Sequence, residues 1–509
     1  MVSTNILFPQ PALEAALNLE APDFFGDLNL EQVVDSILEK KKDYDLRAFF
    51  YTPLRAPEDI AFRQAVFQDL EDAGFAQSIK TFAEEMVQIR RFVGVSEKEY
   101  YFYHRQGWHL EAALLYCSAV SKLCAVMNST AIASQALLAF RDYLNAYTSS
   151  PVFLAMQSDA RSCKEKLSAI KYCITIQANV VRVRQYEFER NYSEEVVATF
   201  EKFKQGGGGR YHIDTPVLSG MDHVKAQILN NVAKLFPEAF NELGAFCAKY
   251  PTVVNEDIQN FDRQIQFYIS YLDFVHKFAS KGLRFSYPRV SKSKNVSARD
   301  AFDIALANKA LLDNRAIVPN DFYLEGSERI FIISGPNQGG KTTFARMFGQ
   351  LHYLASLGCP VPGTETHLFL PDQIYTHFEN EEDIQNARGK LQDDVTRIHS
   401  ILESATSESI LILNEIFTST SLQDAVFLSK EIIARIVRLD LLCVWVTFID
   451  ELSTYGPQTI SMVSTVVPDN PDQRTFKIVR KPADGLSYAI CIAEKYRLTY
   501  DKLKERMAQ

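Results

Sequence analysis

The chain has 509 residues, of which 47% are hydrophobic and 23% are charged, and its formal net charge is −9. This balance is typical of a globular protein of about two to four domains, and it excludes a polyanion binder that acts through bulk positive charge. Any nucleic-acid contact would need a local basic patch or an enclosed ring. The N-terminus lacks a basic segment followed by an apolar one, and no apolar stretch approaches the ~20 residues of a membrane helix. We therefore expect a cytoplasmic protein with no membrane partner.

The eight cysteines form no C-x-x-C pair, and most of them lie in apolar runs such as Leu441–Val446. Buried single cysteines of this kind behave as small hydrophobic residues in a reducing compartment. The spacing predicts reduced core thiols and favours neither a zinc site nor a disulfide.

Apolar residues recur at helical spacing through the first third of the chain, as in Ile79, Phe82 and Met86. Trp108 to Met127 reads as one long apolar helix. Ser150-Pro151 is a typical helix start, with serine as N-cap and proline at the first helical position. No internal repeat is visible, which argues against a solenoid. These patterns predict a mostly helical region over residues 1–172.

The pattern changes near residue 173. Cys173–Ile176 and Asn179–Arg184 are rich in β-branched residues with partial alternation, which predicts two strands. Helices resume at Met221, and Glu256–Gly282 reads as a long helix rich in phenylalanine and tyrosine. The polar segment Ser291–Ser297 is the position at which we expect a domain boundary.

A phosphate-binding pattern follows a buried strand in the C-terminal region. The run Ile330–Ile333 predicts a parallel strand, and the next residues fit G-x-x-x-x-G-K-[ST] and lead into a helix. An accidental glycine-rich turn is the alternative, but the strand before and the helix after the motif are the context that it requires. Backbone N–H groups of such a loop point at phosphate, the lysine reaches the β- and γ-phosphates, and the hydroxyl binds Mg²⁺. The predicted ATP-binding residues of the loop are Gly335, Pro336, Asn337, Gln338, Gly339, Gly340, Lys341, Thr342 and Thr343.

A second apolar strand, Ile410–Leu413, ends in Asn414 and Glu415. In the Walker B arrangement such a strand ends in two acids, of which the first holds Mg²⁺ through water and the second polarises the attacking water. Glu415 is therefore the predicted general base, with a buried structural carboxylate as the alternative. Asn414 can accept a hydrogen bond from a metal-bound water but brings no negative charge. We predict Thr342, Asn414 and Glu415 as the Mg²⁺ site, and Lys341 and Glu415 as the catalytic pair.

Val318–Asp321 and Gly335–Thr342, together with Leu411–Glu415, Thr420-Ser421 and Asp424, resemble the ATPase domain of the MutS family of DNA mismatch-repair proteins. The resemblance covers the C-terminal ~200 residues well and the N-terminal helices more weakly. It implies an α-helical core with a lever and a small clamp insertion, followed by an α/β P-loop ATPase domain. The expected boundaries are a helical core at 1–172, a clamp-like insertion at 173–225, lever helices at 226–296 and the ATPase at 297–509.

The insertion leaves two readings open. A tip that touches the DNA backbone would use a set of basic residues, namely Arg182, Arg184, Lys202, Lys204 and Arg210. Residues 173–225 contain seven Lys and Arg against seven Asp and Glu, which is no basic stripe. A small β-insertion that stabilises the core is an equally good interpretation.

The resemblance also implies a homodimer, because this ATPase family completes each site with loops from the partner. The residues that match those loops are Arg388, Gly389, Lys390, Thr420, Ser421 and Asp424. Ile317 and Val318 match residues that pack on adenine, although Ile317 stands where an aromatic is usual. Three further departures are Asn414, the Gly389-Lys390 pair in place of serine, and Phe448 in place of a histidine that senses the γ-phosphate. Together they predict slow ATP hydrolysis.

The family's mismatch-reading domain, with its Phe-x-Glu wedge, has no counterpart before the core-like sequence. We therefore expect a protein that binds duplex or branched DNA without mismatch selectivity of its own, gated by ATP and linked to mismatch repair or recombination by resemblance. A nucleotide-gated protein scaffold that no longer touches DNA is the main alternative. A competent mismatch-repair component that acts with a separate partner is a third possibility.

Overall fold

The computed structural model describes residues 4–483 apart from 11–12, 14, 178–179, 188–220, 314, 379–388 and 468–469. Fifteen helices of four residues or more run through these described ranges. In chain order, the helices are α1 Phe24–Asp27, α2 Leu30–Leu38, α3 Arg47–Tyr51, α4 Pro57–Asp69, α5 Ala73–Lys98, α6 Phe102–Ser129, α7 Gln135–Thr148, α8 Pro151–Ser168, α9 His223–Leu235, α10 Pro237–Lys249, α11 Glu256–Ala279, α12 Ile304–Asp313, α13 Lys341–Ser356, α14 Lys390–Ser404 and α15 Leu422–Leu439.

The strands are concentrated in the C-terminal part of the chain, apart from one hairpin. In chain order, they are β1 Tyr172–Gln177, β2 Val180–Gln185, β3 Phe285–Ser286, β4 Arg289–Ser291, β5 Val296–Ala301, β6 Asn320–Leu324, β7 Ile330–Ser334, β8 Val361–Pro362, β9 Glu365–Phe369, β10 Ile374–Phe378, β11 Ile410–Asn414, β12 Leu442–Val446, β13 Thr459–Val467 and β14 Asn470–Arg480. Short 3₁₀ helices lie at Lys42–Tyr44 and Asp450–Thr454.

The first third of the chain is helical, as its periodicity predicts. The hydroxyl of Ser150 accepts a hydrogen bond from the N–H of Phe153 at 3.2 Å, and Pro151 opens α8, so this helix start is confirmed. Helix α11 is buried around most of its circumference and forms the centre of the helical region.

Helix α6 corrects one expectation. Its 28 residues are long and apolar enough to cross a membrane by length and composition, contrary to the prediction that no stretch in the chain would be. Half of its most apolar window is buried inside the protein, which is the behaviour of a core helix. Its buried face includes Leu110, Tyr116, Val120 and Leu123.

A six-stranded sheet with the order β10-β11-β12-β7-β13-β14 forms the centre of the C-terminal region. All neighbouring pairs are parallel except β13 and β14, which are antiparallel. Side chains of a strand point to alternate faces, so Phe331 and Ile333 of β7 pack on the side of α13, whereas Ile330 and Ile332 pack on the side of α14 and α15. Both faces are covered, as is usual for a mainly parallel sheet.

The N-terminal segment packs directly on helix α13 of the C-terminal region. Gln350 donates from Nε2 to the carbonyl of Leu28 at 2.9 Å, and Arg346 donates from Nε to the carbonyl of Asp27 at 2.8 Å. Gly349 lies under Leu28, and a Cβ at this glycine would come within 2.7 Å of Leu28 Cδ1. Residues from both ends of the chain therefore share one hydrophobic core.

The hairpin β1–β2 confirms the two predicted strands. Its register places Thr175 opposite Arg182 and Cys173 opposite Arg184, so both arginines lie on one face, and both are exposed. The opposite face carries the apolar pair Ile174 and Val183. The other predicted basic contacts, Lys202, Lys204 and Arg210, lie outside the described residues.

Candidate functional site

The glycine-rich loop joins the C-terminal end of β7 to the N-terminus of α13. Gly340 immediately precedes the helix and has a φ of 91°, which is unfavourable for a residue with a Cβ. Gly339 has no space for a side chain, because an added Cβ would lie 2.2 Å from Ser464 Oγ. That hydroxyl donates to the carbonyl of Gly339 at 2.8 Å, so β13 fixes the loop from behind.

Lys341 lies inside the loop with 7% of its surface exposed. Its ammonium group donates to the carbonyls of Gly335 and Pro336 at 3.0 and 3.2 Å, and to Asn337 Oδ1 at 3.2 Å. The carboxylate of Glu415 is 3.8 Å away. Burial lowers the pKa of Lys341, and the nearby Glu415 carboxylate acts in the opposite direction. The loop thus holds a buried positive charge at the helix N-terminus, where anions bind.

Thr342 and Asn414 meet at the edge between the loop and β11. Thr342 Oγ1 donates to Asn414 Oδ1 at 2.9 Å, and Asn414 is 8% exposed. Glu415 follows with a φ of 54°, and its N–H donates to the carbonyl of Val446 at 2.9 Å. A hydroxyl, an amide oxygen and a carboxylate are the oxygen donors that Mg²⁺ prefers, so the predicted metal residues fit that ion.

A cavity of about 510 Å³ opens beside the loop. Ile317 and Val318 line it, in the place predicted for residues that pack on a base, together with Leu306 and Ala310 of α12. Phe476 of β14 supplies an aromatic side chain that the sequence analysis missed. It has a φ of 58° and is 49% exposed.

Asn320 fixes the strand that carries Phe476. Its Nδ2 donates to the carbonyl of Phe476 at 3.1 Å, and its Oδ1 accepts from the N–H of Ile478 at 2.7 Å. The one signal in the sequence is an aromatic residue within the short run Thr475–Val479, which lies in β14. Phe476 is more than 130 residues after the glycine-rich loop, so the sequence alone does not show that the two lie side by side.

The loop after β11 has a second support that local patterns do not reveal. Phe417 has a φ of 62°, and its N–H donates to Asp394 Oδ2 at 3.2 Å. The other oxygen of Asp394 lies 2.8 Å from His377 Nε2. Asp394 belongs to α14 and His377 to β10, so three separate segments meet at this carboxylate.

The residues predicted to cross a dimer interface lie at two helix starts. Gly389 precedes α14 and the half-buried Lys390 is its first residue, whereas Arg388 lies outside the described residues. Ser421 caps α15: its hydroxyl accepts from the N–H of Asp424 at 3.2 Å and donates to that residue's Oδ2 at 2.7 Å. Thr420 Oγ1 donates to the same oxygen at 3.4 Å. The structure therefore places Thr420, Ser421 and Asp424 in a local cap within one chain, and Gly389 and Lys390 at the start of α14 without a side-chain cap.

The fold and the site together define a mixed helical and α/β protein with an ATPase-like C-terminal region. The family model described as MutS domain V matches residues 331–503, which include the glycine loop and the strand that ends at Asn414.

Two bacterial relatives extend this finding. The DNA mismatch repair protein MutS of Bacillus cytotoxicus is 28% identical over 190 residues, which cover 36% of this chain and 21% of the relative. That of Staphylococcus aureus is 26% identical over 248 residues, which cover 47% of this chain and 28% of the relative. The C-terminal region of the chain is thus similar to MutS domain V and to these MutS proteins, and the match spans at most 28% of the relatives' own length.

Proposed function

We propose that this protein binds ATP and Mg²⁺ at the glycine loop and acts as a dimeric, ATP-gated clamp on DNA with slow ATP hydrolysis. The observation that carries the proposal is the hydrogen bond between Thr342 Oγ1 and Asn414 Oδ1. It brings together the glycine-rich loop and the strand end that the sequence analysis predicted separately. The buried ammonium of Lys341 and the adjacent cavity lie at the same end of the sheet.

In this proposal each residue has a definite task. The N–H groups of the loop and Lys341 bind the phosphates, and the present contacts of Lys341 with loop oxygens are exchanged for phosphate oxygens. Thr342 and Asn414 hold the metal, which supplies charge neutralisation at the phosphates when bound. Glu415 orients and deprotonates the attacking water. The apolar walls around Ile317 take the base.

Slow hydrolysis follows from the charges at the site. Asn414 stands where a second carboxylate would face the metal, so the site has one negative charge fewer. Phe448 follows β12 and is 54% exposed, and its ring cannot make a polar contact with phosphate. ATP would then remain bound for longer and act mainly to hold the closed state.

A homodimer is supported by apolar side chains that are exposed at the end of the sheet that carries the site. Leu422 and Phe427 of α15 are 61% and 65% exposed, and Phe448 after β12 is 54% exposed. Leu422 and Phe448 both follow the C-terminal ends of neighbouring parallel strands, so they lie on the same side of the molecule. Exposed apolar surface of this kind commonly marks an interface between proteins.

The test of the nucleotide site is equilibrium binding of ATP to the wild type and to Lys341→Ala. We expect Lys341→Ala to weaken binding by at least tenfold, because one charged hydrogen-bond donor to phosphate is lost. The control is Lys430→Ala, which removes the same charge from an exposed position on α15. Equal affinity in the two variants would contradict the assignment.

DNA binding is supported by the exposed face of the hairpin that carries Arg182 and Arg184. Contacts with phosphate release counterions, so the affinity for duplex DNA should fall with salt, and Arg182→Ala/Arg184→Ala should reduce the slope of log K against log[salt] by about 2. The matched control is Arg299→Ala/Arg438→Ala, which removes two exposed arginines of the C-terminal region. No binding at any salt concentration would favour the protein scaffold instead.

A further inference from the structure

We propose that Asp394, oriented by His377, is a positioning residue that fixes the loop carrying Glu415. The inference rests on the proposed function, because it assigns Glu415 its role in hydrolysis. It concerns a group that touches neither nucleotide nor metal and acts through the backbone of Phe417.

The pair is almost completely buried. Exposure is 6% for the His377 side chain and 10% for the Asp394 side chain. His377 lies on β10, whose neighbour in the sheet is β11, and Phe378 is directly opposite Asn414. The pair is therefore adjacent to the strand end that carries the predicted metal and base residues.

Among the described residues, each oxygen of Asp394 has one donor. Oδ2 accepts from the N–H of Phe417 at 3.2 Å, and Oδ1 accepts from His377 Nε2 at 2.8 Å. The second contact requires the imidazole proton on Nε2, because a carboxylate oxygen can only accept. The other ring nitrogen, Nδ1, is buried with no partner among the described residues, so the pair is the one polar contact that the structure gives this ring.

The backbone that Asp394 holds is unfavourable by itself. Glu415 and Phe417 both have positive φ, at 54° and 62°, and neither is a glycine. Such a turn persists only if the surrounding structure holds it. The N–H of Glu415 is held by the carbonyl of Val446 on β12, and the N–H of Phe417 is held by Asp394 on α14.

The consequence concerns the carboxylate of Glu415. Its 3.8 Å distance from Lys341 Nζ depends on where the turn places the side chain. A general base must lie within hydrogen-bond reach of the water it activates, and a misplacement of about 1 Å can cost on the order of 100-fold in rate. Loss of the Asp394 contact should therefore slow hydrolysis without weakening ATP binding, because the glycine loop does not touch it.

Asparagine is the informative replacement. It has nearly the shape of aspartate but one acceptor oxygen, so it cannot accept from both His377 Nε2–H and the N–H of Phe417. Keeping both contacts would require the other imidazole tautomer, which puts an N–H at the buried Nδ1, where the described residues offer no partner. Asp393→Asn is the matched control, since it makes the same chemical change one residue earlier on α14 at a half-buried position. His377→Gln keeps an N–H donor and His377→Leu removes it, so the first should retain more activity than the second.

Three measurements on the full chain test the inference: the dissociation constant for ATP, the single-turnover rate of hydrolysis, and amide hydrogen exchange of a peptide that contains Phe417. For Asp394→Asn we expect ATP affinity within about threefold of the wild type, hydrolysis roughly 10- to 100-fold slower, and faster exchange at Phe417. Asp393→Asn should match the wild type in all three measurements. The exchange measurement needs no catalysis, so it also tests a variant that is too slow to assay.

The outcomes separate the two proposals. If Glu415→Gln stops hydrolysis but Asp394→Asn hydrolyses at the wild-type rate with unchanged exchange, the positioning role is wrong and the ATPase assignment stands. If ATP affinity falls in parallel with the rate, Asp394 is a general structural residue and the inference is also wrong. A wild type that binds no ATP would overturn both proposals.

Discussion

Asn414 offers the most direct way to change the chemistry of the proposed metal site by a single charge. Its Oδ1 accepts from Thr342 Oγ1 at 2.9 Å, and its side chain is almost fully buried. The variant Asn414→Asp keeps the shape of the residue and adds one negative charge beside the hydroxyl that would bind Mg²⁺.

The expected effect has opposite signs with and without metal. A bound Mg²⁺ and the added carboxylate would carry opposite charges, and opposite unit charges 4 Å apart attract by ~4 kcal/mol at an effective dielectric constant of 20. The cost of burying the carboxylate offsets several kcal/mol of that attraction. We expect a net gain of ~1.4 kcal/mol, or about tenfold tighter binding of Mg²⁺ with ATP and faster hydrolysis. Without metal, the buried carboxylate should lower the free energy of unfolding by ~1–3 kcal/mol.

The assay combines Mg²⁺ titration of single-turnover hydrolysis with thermal unfolding in the presence of a chelator. Asn295→Asp is the control, because it makes the same change at an exposed position of the C-terminal region. If Asn414→Asp leaves both Mg²⁺ dependence and unfolding unchanged, the metal site lies elsewhere. A wild type that turns over several times per second would contradict the slow mechanism itself.

Three further predictions concern stability. Arg63 is fully buried and donates to two backbone carbonyls. Arg63→Ala should therefore lower the free energy of unfolding in urea by ~3–5 kcal/mol. If the packing of the side chain matters more than its charge, Arg63→Met should lose less stability than Arg63→Ala. Burial raises the pKa of Asp262 to about 6, so the folded state keeps this proton and stability falls as pH rises from about 4 to 6. Burial lowers the pKa of His352 to about 4, so the unfolded state binds a proton that the folded state does not, and stability rises between pH 4 and 6.5. Urea unfolding across this range should therefore show opposite changes of slope in Asp262→Asn and His352→Gln, and parallel curves would contradict both shifts. Gly349→Ala should cost ~1–3 kcal/mol by overpacking, with partial recovery in the double variant with Leu28→Ala; additive losses would show that the two residues do not press on each other.

The parts of the site that could be predicted are those in which a short contiguous stretch of sequence follows a known pattern. The strand, loop and helix around Lys341 and the strand that ends at Asn414 each obey a local rule of periodicity or motif spacing, and the structure has both elements where the sequence places them. The hairpin at 172–185 was equally readable, because alternation of β-branched residues needs no information from the rest of the chain.

The parts that could not be predicted depend on pairing between distant segments. His377, Asp394 and Phe417 come from a strand, a helix and a loop, and none of the three matches a motif by itself. Phe476 reaches the cavity only because β14 folds back along β13. The expectation about membrane-length segments was wrong for a different reason: the length and composition of α6 are visible in the sequence, and a helix buried by its neighbours can be as apolar as a membrane helix.

The contact between Leu28 and Gly349 has a consequence for how the protein can be divided. A fragment that starts near residue 297 would contain the whole six-stranded sheet, yet it would lack the side chain that covers Gly349 and the carbonyls that accept from Arg346 and Gln350. Its helix α13 would present an apolar surface and unpaired donors to water. The segment around Asp27 and Leu28 is therefore a structural part of the C-terminal region, although it lies near the other end of the sequence.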